Sequence, residues 1–255
     1  MKILWVSAHP EPRSLNGSLR DVGIRTLGDL GHQVVESDLY AMRWKAAVDG
    51  DDFEHDPEQR LIVGDAQEAG HASRTLSADI RAEQEKISWA DTLVLQFPMW
   101  WFGMPAILKG WFDRVFVQGF AFGVKDPGTG RTLRYGDNNL SGKRAMVITT
   151  FGAREASMGP RGIHGDVNDL LFPLQHGTLW YSGIAVVPPF LVDGANRLGG
   201  CDYDLVVKQL QERLRSLPTE ATIAFRYQDR GDYDEDLVLR SELATCQSGL
   251  GVHYG

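Results

Sequence analysis

Cysteine is nearly absent. The 255 residues hold two, Cys201 and Cys246, too few for a disulfide framework. Reduced thiols in a cytoplasmic protein are the expectation. Positive charge is also short: 26 Lys and Arg stand against 34 Asp and Glu, a net charge of −8. Such a chain repels phosphate backbones and anionic lipid at long range, which argues against a nucleic-acid or membrane-surface partner. No apolar run has the length a bilayer demands. The greasiest stretch, Leu93–Leu108, is broken by Gln96, Pro98, Gly103 and Pro105. The apolar opening Met1–Val6 gives way at once to Ser7-Ala8-His9-Pro10, too short for a signal-peptide core. Several motifs are missing. There is no Cys-x-x-Cys or His-Glu-x-x-His, so no metal site is expected. No Gly-x-Ser-x-Gly elbow occurs. No Gly-x-Gly-x-x-Gly or Walker lysine occurs either, which argues against Rossmann-type dinucleotide binding and P-loop chemistry. Repeats and low-complexity tracts are lacking.

What is present is a core-forming pattern. Short apolar runs alternate with helical ones. Lys2–Ser7, Gln33–Leu39, Asp91–Phe97, Arg144–Thr150 and Ile184–Val187 read as strands. Between them, helices are expected from Ser14 to Leu30 with Gly31 as the stop, over Ala78–Ala90, over Pro105–Gln118, and over Asp166–Tyr181, the last bent or begun late because of Pro173. Asp202 is expected to cap a final helix that runs through Leu217 and ends at Pro218. Uniformly apolar strands alternating with helices mean a parallel sheet covered on both faces. Five strands suggest a flavodoxin-like order, 2-1-3-4-5. Residues 1–217 form that domain. Tyr40–Ser77 is a long polar excursion within it, and 218–255 is a C-terminal extension expected to grip a second subunit.

Ligands in such a sheet sit at the carboxyl ends of the strands, and three loops there have unusual compositions. The first, Ser7 to Ser18, leads into a helix N-terminus, an anion site by virtue of free N–H groups and the helix dipole. His9, Ser14, Asn16 and Ser18 supply polar groups; a simple turn capped by Ser14 is the alternative. The second, Gln96-Phe97-Pro98-Met99-Trp100-Trp101-Phe102-Gly103-Met104-Pro105, offers flat aromatic faces beside backbone N–H groups, which suits a planar heterocycle. The alternative is that these rings fill space between sheet and helix. The third holds Thr149-Thr150-Phe151-Gly152 and then Gly162-Ile163-His164-Gly165-Asp166. A lone histidine is more often a structural hydrogen-bonder, but this one stands at the strand ends, before a helix.

The segments Glu36–Met42, Gln96-Phe97-Pro98, Trp101-Phe102-Gly103, Pro105–Phe112 and Gly162–Asp166 resemble NAD(P)H:quinone oxidoreductases of the DT-diaphorase type over residues 1–217. The resemblance implies a flavodoxin-like fold, a homodimer, non-covalent FAD, and two-electron reduction of quinones by NADH or NADPH in a ping-pong cycle. It places His9, Ser14, Leu15, Asn16 and Ser18 at the cofactor's pyrophosphate. Pro98, Met99, Trp101 and Phe102 would line its ring system, with Thr149, Thr150 and Gly152 on the other side and Asp113 as an acidic contact. His164 matches the catalytic histidine. The family's catalytic tyrosine is Met158 here, and two substrate-facing tyrosines are Phe122 and Val124, so the acceptor would meet His164, Met158, Phe122 and Val124. Two other functions for such a chain are a flavin-binding regulatory subunit of a membrane transport protein and a one-electron carrier.

Overall fold

The computed structural model describes residues 1–255. Its centre is a parallel sheet of β1 (Lys2–Ser7), β2 (Gln33–Asp38), β3 (Thr92–Pro98), β4 (Arg144–Thr150) and β5 (Ala185–Val186), in the order β2-β1-β3-β4-β5. This is the flavodoxin-like order expected from the sequence. β3 is buried along its whole length, and β1 and β4 beyond their first residues. Both faces of the sheet are therefore covered, and the two-residue period of a strand sorts its side chains between them. Ile3, Trp5, Val94, Met146 and Ile148 face one core with Leu19 and Leu27 of α1 (Leu15–Asp29) and Leu210 and Leu214 of α6 (Gly200–Ser216). Leu4, Val6, Leu93, Leu95 and Val147 face a larger core. It is closed by α3 (Ala78–Trp89), α4 (Ala106–Val115) and α5 (Val167–Leu174).

Five expectations need correction. The polar excursion contains a helix, α2 (Val63–Ser73). The fifth strand is split: Pro188-Pro189 interrupts it after β5, and β6 (Phe190–Val192) rejoins β4 opposite Ile148–Thr150. Proline has no N–H for the ladder, so the break falls where the prolines stand. Pro173 lies inside α5 and neither delays nor ends it; the helix continues through one wider turn, Gln175–Trp180, with Thr178 Oγ1 donating to the Pro173 carbonyl at 3.0 Å. α6 is capped by Gly199, whose N–H donates to Asp202 Oδ2 at 3.2 Å, so Asp202 lies inside the first turn. The helix expected over Pro105–Gln118 is shorter at both ends, with Pro105 as its N-cap and Phe116 as its C-cap.

The excursion is held to α4 by charge. Arg114, 1% exposed, donates to Asp52 Oδ1 at 2.8 Å and to Asp79 Oδ2 at 2.7 Å, and its guanidinium lies 4.5 Å over the Trp44 ring. The C-terminal extension does not stand clear of the domain. Ile223 N–H donates to the Val186 carbonyl at 2.7 Å. Phe225 is buried beside Phe172, His176 and Trp180. From Arg230 to Gly251 the extension is mostly exposed.

His176 sits in this packing, 8% exposed, stacked on Phe172 at 4.5 Å and on Tyr135 at 4.9 Å. Burial and then the nearby His253 lower its pKa to about 4. The folded protein keeps the ring neutral where the unfolded chain protonates it. The contribution to stability is complete above pH 6.5 and is lost as pH falls from 6.5 towards 4. Allowing for screening, the loss is about 2–3 kcal/mol. Urea denaturation at pH 4.5 to 7.5 should show this slope, and His176→Phe should remove most of it. A variant with the parent's slope would show that other groups produce it.

Candidate functional site

The loops after β1, β3 and β4 meet at the carboxyl edge of the sheet. Ser14 caps α1, its Oγ accepting from Gly17 N–H at 3.1 Å, and Leu15 begins the helix, half-buried. Ser18 continues its first turn, its N–H donating to the Ser14 carbonyl at 2.9 Å. Asn16 is buried and donates through Nδ2 to Thr150 Oγ1 at 2.9 Å, tying the first loop to the third. Met99 N–H donates to the Thr150 carbonyl at 2.8 Å, and Pro98 pairs in register with Thr150, tying the second loop to the third. His9 and Trp100 approach with ring centroids 6.2 Å apart. Phe102 and His164 lie 5.6 Å apart with their planes tilted by 40°. His164 is exposed, and its N–H donates to the Ser157 carbonyl at 3.1 Å.

The first loop encloses a small hollow lined by Ser7, His9, Glu11, Asn16, Gly17, Arg20 and Gln96. Two polar atoms of its lining residues, Ser7 Oγ and Asn16 Oδ1, are buried without a hydrogen-bond partner. So is Thr149 Oγ1, at the end of β4. Buried polar groups are normally satisfied, so such orphans mark a place for a ligand group or water. Gly17 passes so close to the Pro12 backbone that a Cβ there would run into its carbonyl. The loop is thus folded tightly against the N-terminus of α1, with the exposed N–H groups and positive dipole end that suit a phosphate. The one carboxylate of the loop, Glu11, is bound by Arg13 at 3.0 Å, and that bond holds its pKa below the usual range.

The second loop is strained in a way the sequence did not reveal. Trp101 and Phe102 both have positive φ, 50° and 62°, in a short turn closed by reciprocal bonds between Trp100 and Gly103. Bulky residues rarely adopt that conformation, and it costs about 1–3 kcal/mol where it persists. The turn leaves Trp101 96% exposed. Phe102 and Ile163 are exposed beside the same loops. Simple space-filling does not account for rings held out in water. An aromatic platform next to an anion hollow fits a flat heterocycle carrying phosphate, as a flavin does. Gly152 borders it, and a Cβ at Gly152 would stand 2.8 Å from Asn196 Nδ2.

Not every expected residue joins this group. Asp113 is exposed on α4, paired with Lys109 at 2.5 Å, and lines a separate cavity of about 440 Å³ together with Phe122, Gly177 and Tyr181. Val124 is half-buried in the loop after Phe122, its carbonyl accepting from Leu133 N–H at 2.8 Å. Met158 is 3% exposed within the larger core, so its thioether offers little surface to an acceptor. Ser7 and Gln96 were missed as functional candidates. Gln96 is buried and links Trp5 Nε1, which donates to its Oε1 at 2.9 Å, with the Asn16 carbonyl, to which its Nε2 donates at 2.8 Å. A glutamine inside an otherwise apolar strand was the signal available for it.

A family model for the flavodoxin-like fold matches residues 1–217. A ribosyldihydronicotinamide dehydrogenase-like protein, traD, from Penicillium crustosum is 42% identical over 99% of this chain and 95% of its own. NAD(P)H dehydrogenase [quinone] 1 of Cavia porcellus is 38% identical over 100% of this chain and 94% of its own. A crystal structure from Klebsiella pneumoniae, provisionally assigned as a quinone reductase, superposes with a TM-score of 0.96 at 48% identity, covering 100% of both chains. No helix of the protein is long and apolar enough to cross a membrane. With matches of this extent, and a sheet order of the flavodoxin-like type, the chain belongs to the NAD(P)H:quinone oxidoreductase family of flavodoxin-like oxidoreductases.

Proposed function

We propose that the protein holds FAD and reduces a quinone by two electrons from NADH or NADPH in a ping-pong cycle, as a cytoplasmic homodimer. The observation that carries this reading is the exposed Trp101–Phe102 turn beside His164 and the anion hollow. A flavin, when bound, supplies the hydride-accepting and hydride-donating chemistry. The chain supplies position and charge. The N-terminal N–H groups of α1 and Ser7 Oγ hold phosphate oxygens. Trp101, Phe102, Met99 and Pro98 flank the ring system on one side, and Thr149, Thr150 and Gly152 on the other. FAD is favoured over FMN because the chain extends well beyond a minimal mononucleotide domain. Asp113, Phe122 and Val124 lie apart from these loops in a single chain, so we assign their contacts to a second subunit, together with the exposed stretch of the extension. Two exposed free thiols, Cys201 and Cys246, agree with a reducing compartment.

His164 donates a hydrogen bond where negative charge grows during reduction, a group that stabilises the product state more than the starting one. Met158 is only a weak acceptor, and Phe122 and Val124 carry no hydroxyl, so no phenol shares the task at these positions. His164→Ala should slow reduction by NADH or NADPH about 10- to 100-fold, a loss of roughly 1–3 kcal/mol, with flavin still bound. Stopped-flow bleaching of the flavin band measures it. The same preparation, denatured and chromatographed, identifies the flavin. If NADH and NADPH both fail to bleach the parent, the reductase reading fails and a carrier or regulatory role takes its place. If His164→Ala matches the parent, the histidine is structural.

A further inference from the structure

We propose that Tyr181 is a catalytic residue, its phenol donating a hydrogen bond to a carbonyl oxygen of the quinone. The proposal rests on the quinone reductase reading and adds to it a residue that the strand-end loops do not contain. Tyr181 follows the wider turn that continues α5. Residues four apart share a helix face, and Pro173, Gly177 and Tyr181 floor the cavity of about 440 Å³ that Phe122 and Asp113 also line. A Cβ at Gly177 would meet nothing, so that floor is open. Phe112 and Phe116 of α4 add aromatic walls. A flat, uncharged ring with carbonyl oxygens suits such a space. In the dimer, this wall meets the strand-end loops of the second subunit, and Tyr181 reaches the acceptor from the same side as Phe122.

The other polar groups of the lining are engaged within the protein. Thr178 Oγ1 donates to the Pro173 carbonyl at 3.0 Å, and Ser182 Oγ donates to the Thr178 carbonyl at 2.8 Å. Lys109 is paired with Asp113, and Gln67 Nε2 donates to the Asp113 carbonyl at 3.2 Å. The Tyr181 hydroxyl has no partner in the protein and is not one of the buried orphan atoms, so its oxygen keeps open surface. It is the one free hydroxyl of the lining. Its place is fixed by the backbone. Tyr181 N–H donates to the His176 carbonyl at 3.0 Å, and the Tyr181 carbonyl accepts from Tyr135 N–H and from Asn138 Nδ2, each at 3.1 Å. The ring stands edge-on to Tyr135, 5.1 Å away at 82°. The quinone takes a hydride, two electrons with one hydrogen, from the reduced enzyme and a proton from water, and leaves as the hydroquinone. NADH or NADPH is oxidised in the other half of the cycle. Charge arriving with the hydride gathers on the quinone oxygens until the proton follows, so a donor held there stabilises the transition state more than the bound quinone. Tyr181 keeps its own proton throughout.

Tyr181→Phe removes the oxygen and keeps the ring. Since that oxygen has no partner in the protein, the variant should unfold at the parent's denaturant concentration. Full-length flavin-loaded protein is bleached with NADH or NADPH in a stopped-flow instrument. It is then recoloured with 1,4-naphthoquinone or with ferricyanide, which takes electrons singly and needs no hydrogen bond in the cavity. Recolouring by naphthoquinone should slow about 10- to 100-fold in the variant, and recolouring by ferricyanide should stay within about two-fold of the parent. Naphthoquinone titrated by calorimetry into the oxidised protein should bind the variant about 3- to 10-fold more weakly, as the loss of one hydrogen bond predicts. Recolouring at the parent's rate, unweakened binding, or equal slowing with both acceptors would each overturn the proposal and leave the reductase reading intact. A bleached parent that naphthoquinone does not recolour would overturn that reading, and the proposal with it.

Discussion

Gly17→Ala should yield a folded protein that is purified without its flavin. A methyl group at that position runs into the Pro12 carbonyl, a backbone atom that cannot swing aside. The loop from His9 to Arg13 must move away from the α1 N-terminus, and the N–H groups lose their convergence on the hollow. Two charge-assisted hydrogen bonds lost at about 1.5–3 kcal/mol each predict at least a ~100-fold weaker complex. Overpacking within the helix adds about 1–3 kcal/mol of destabilisation, which the fold should survive. Flavin absorbance after purification and a fluorescence titration of the apoprotein give the result. Gly28→Ala is the control: it lies in the same helix with nothing near the added carbon, and it should keep its flavin. Stoichiometric flavin in Gly17→Ala would show that the hollow is not a phosphate site.

Arg114→Met should cost about 3–5 kcal/mol of stability, because Asp52 is left as a buried charge without its partner. Asp52 is 1% exposed, and Lys45, at 3.0 Å, is its one other cation. The loss carries a pH signature. Burial opposes ionisation of Asp79, yet the bonds from Arg114 and Ser77 prevail and hold its pKa below the usual value. That stabilisation is present above about pH 4 and disappears as pH falls through the folded pKa. The variant should lose this acid-sensitive part, and chemical denaturation at pH 7 and pH 3.5 measures both effects. Adding Asp52→Leu to Arg114→Met should restore much of the stability, since an apolar pair can replace a buried ion pair at little cost. If the single variant unfolds at the parent's denaturant concentration, the network is ornamental, and the excursion is held by packing alone.

The sequence made the sheet legible because its inner strands are apolar runs bounded by turn residues, a local signal. The three strand-end loops were legible for a similar reason: Trp100-Trp101-Phe102 and the Ser14–Ser18 run are unusual in composition wherever they fold. α2 was not. Val63–Ser73 contains Gly64 and Gly70 and has no apolar stripe. It is held by tertiary contacts, Gln67 Nε2 donating to the Asp113 carbonyl at 3.2 Å and Gly70 giving room to Leu76. The left-handed turn at Trp101 and Phe102 was equally hidden, since propensity assigns such residues negative φ. The separation of Asp113, Phe122 and Val124 from the other candidates depends on how α4 and α5 pack, which no spacing encodes. His176 reads as one more histidine until Phe172, Tyr135 and Phe225 enclose it.

The interrupted fifth strand also governs how this chain behaves in a crowd. An open sheet ends in rows of unpaired N–H and C=O groups, and a long, flat edge is a template on which other chains add and aggregate. Here one margin offers two strand residues, then Val187 and two prolines that cannot donate, then three strand residues. The Val186 carbonyl, at the end of β5, is already taken by Ile223 N–H. At the opposite margin β2 carries Glu36 and Asp38, charges that oppose stacking of like strands. Both borders are thereby poor templates for strand addition, which leaves the sheet little means of growing into a ribbon.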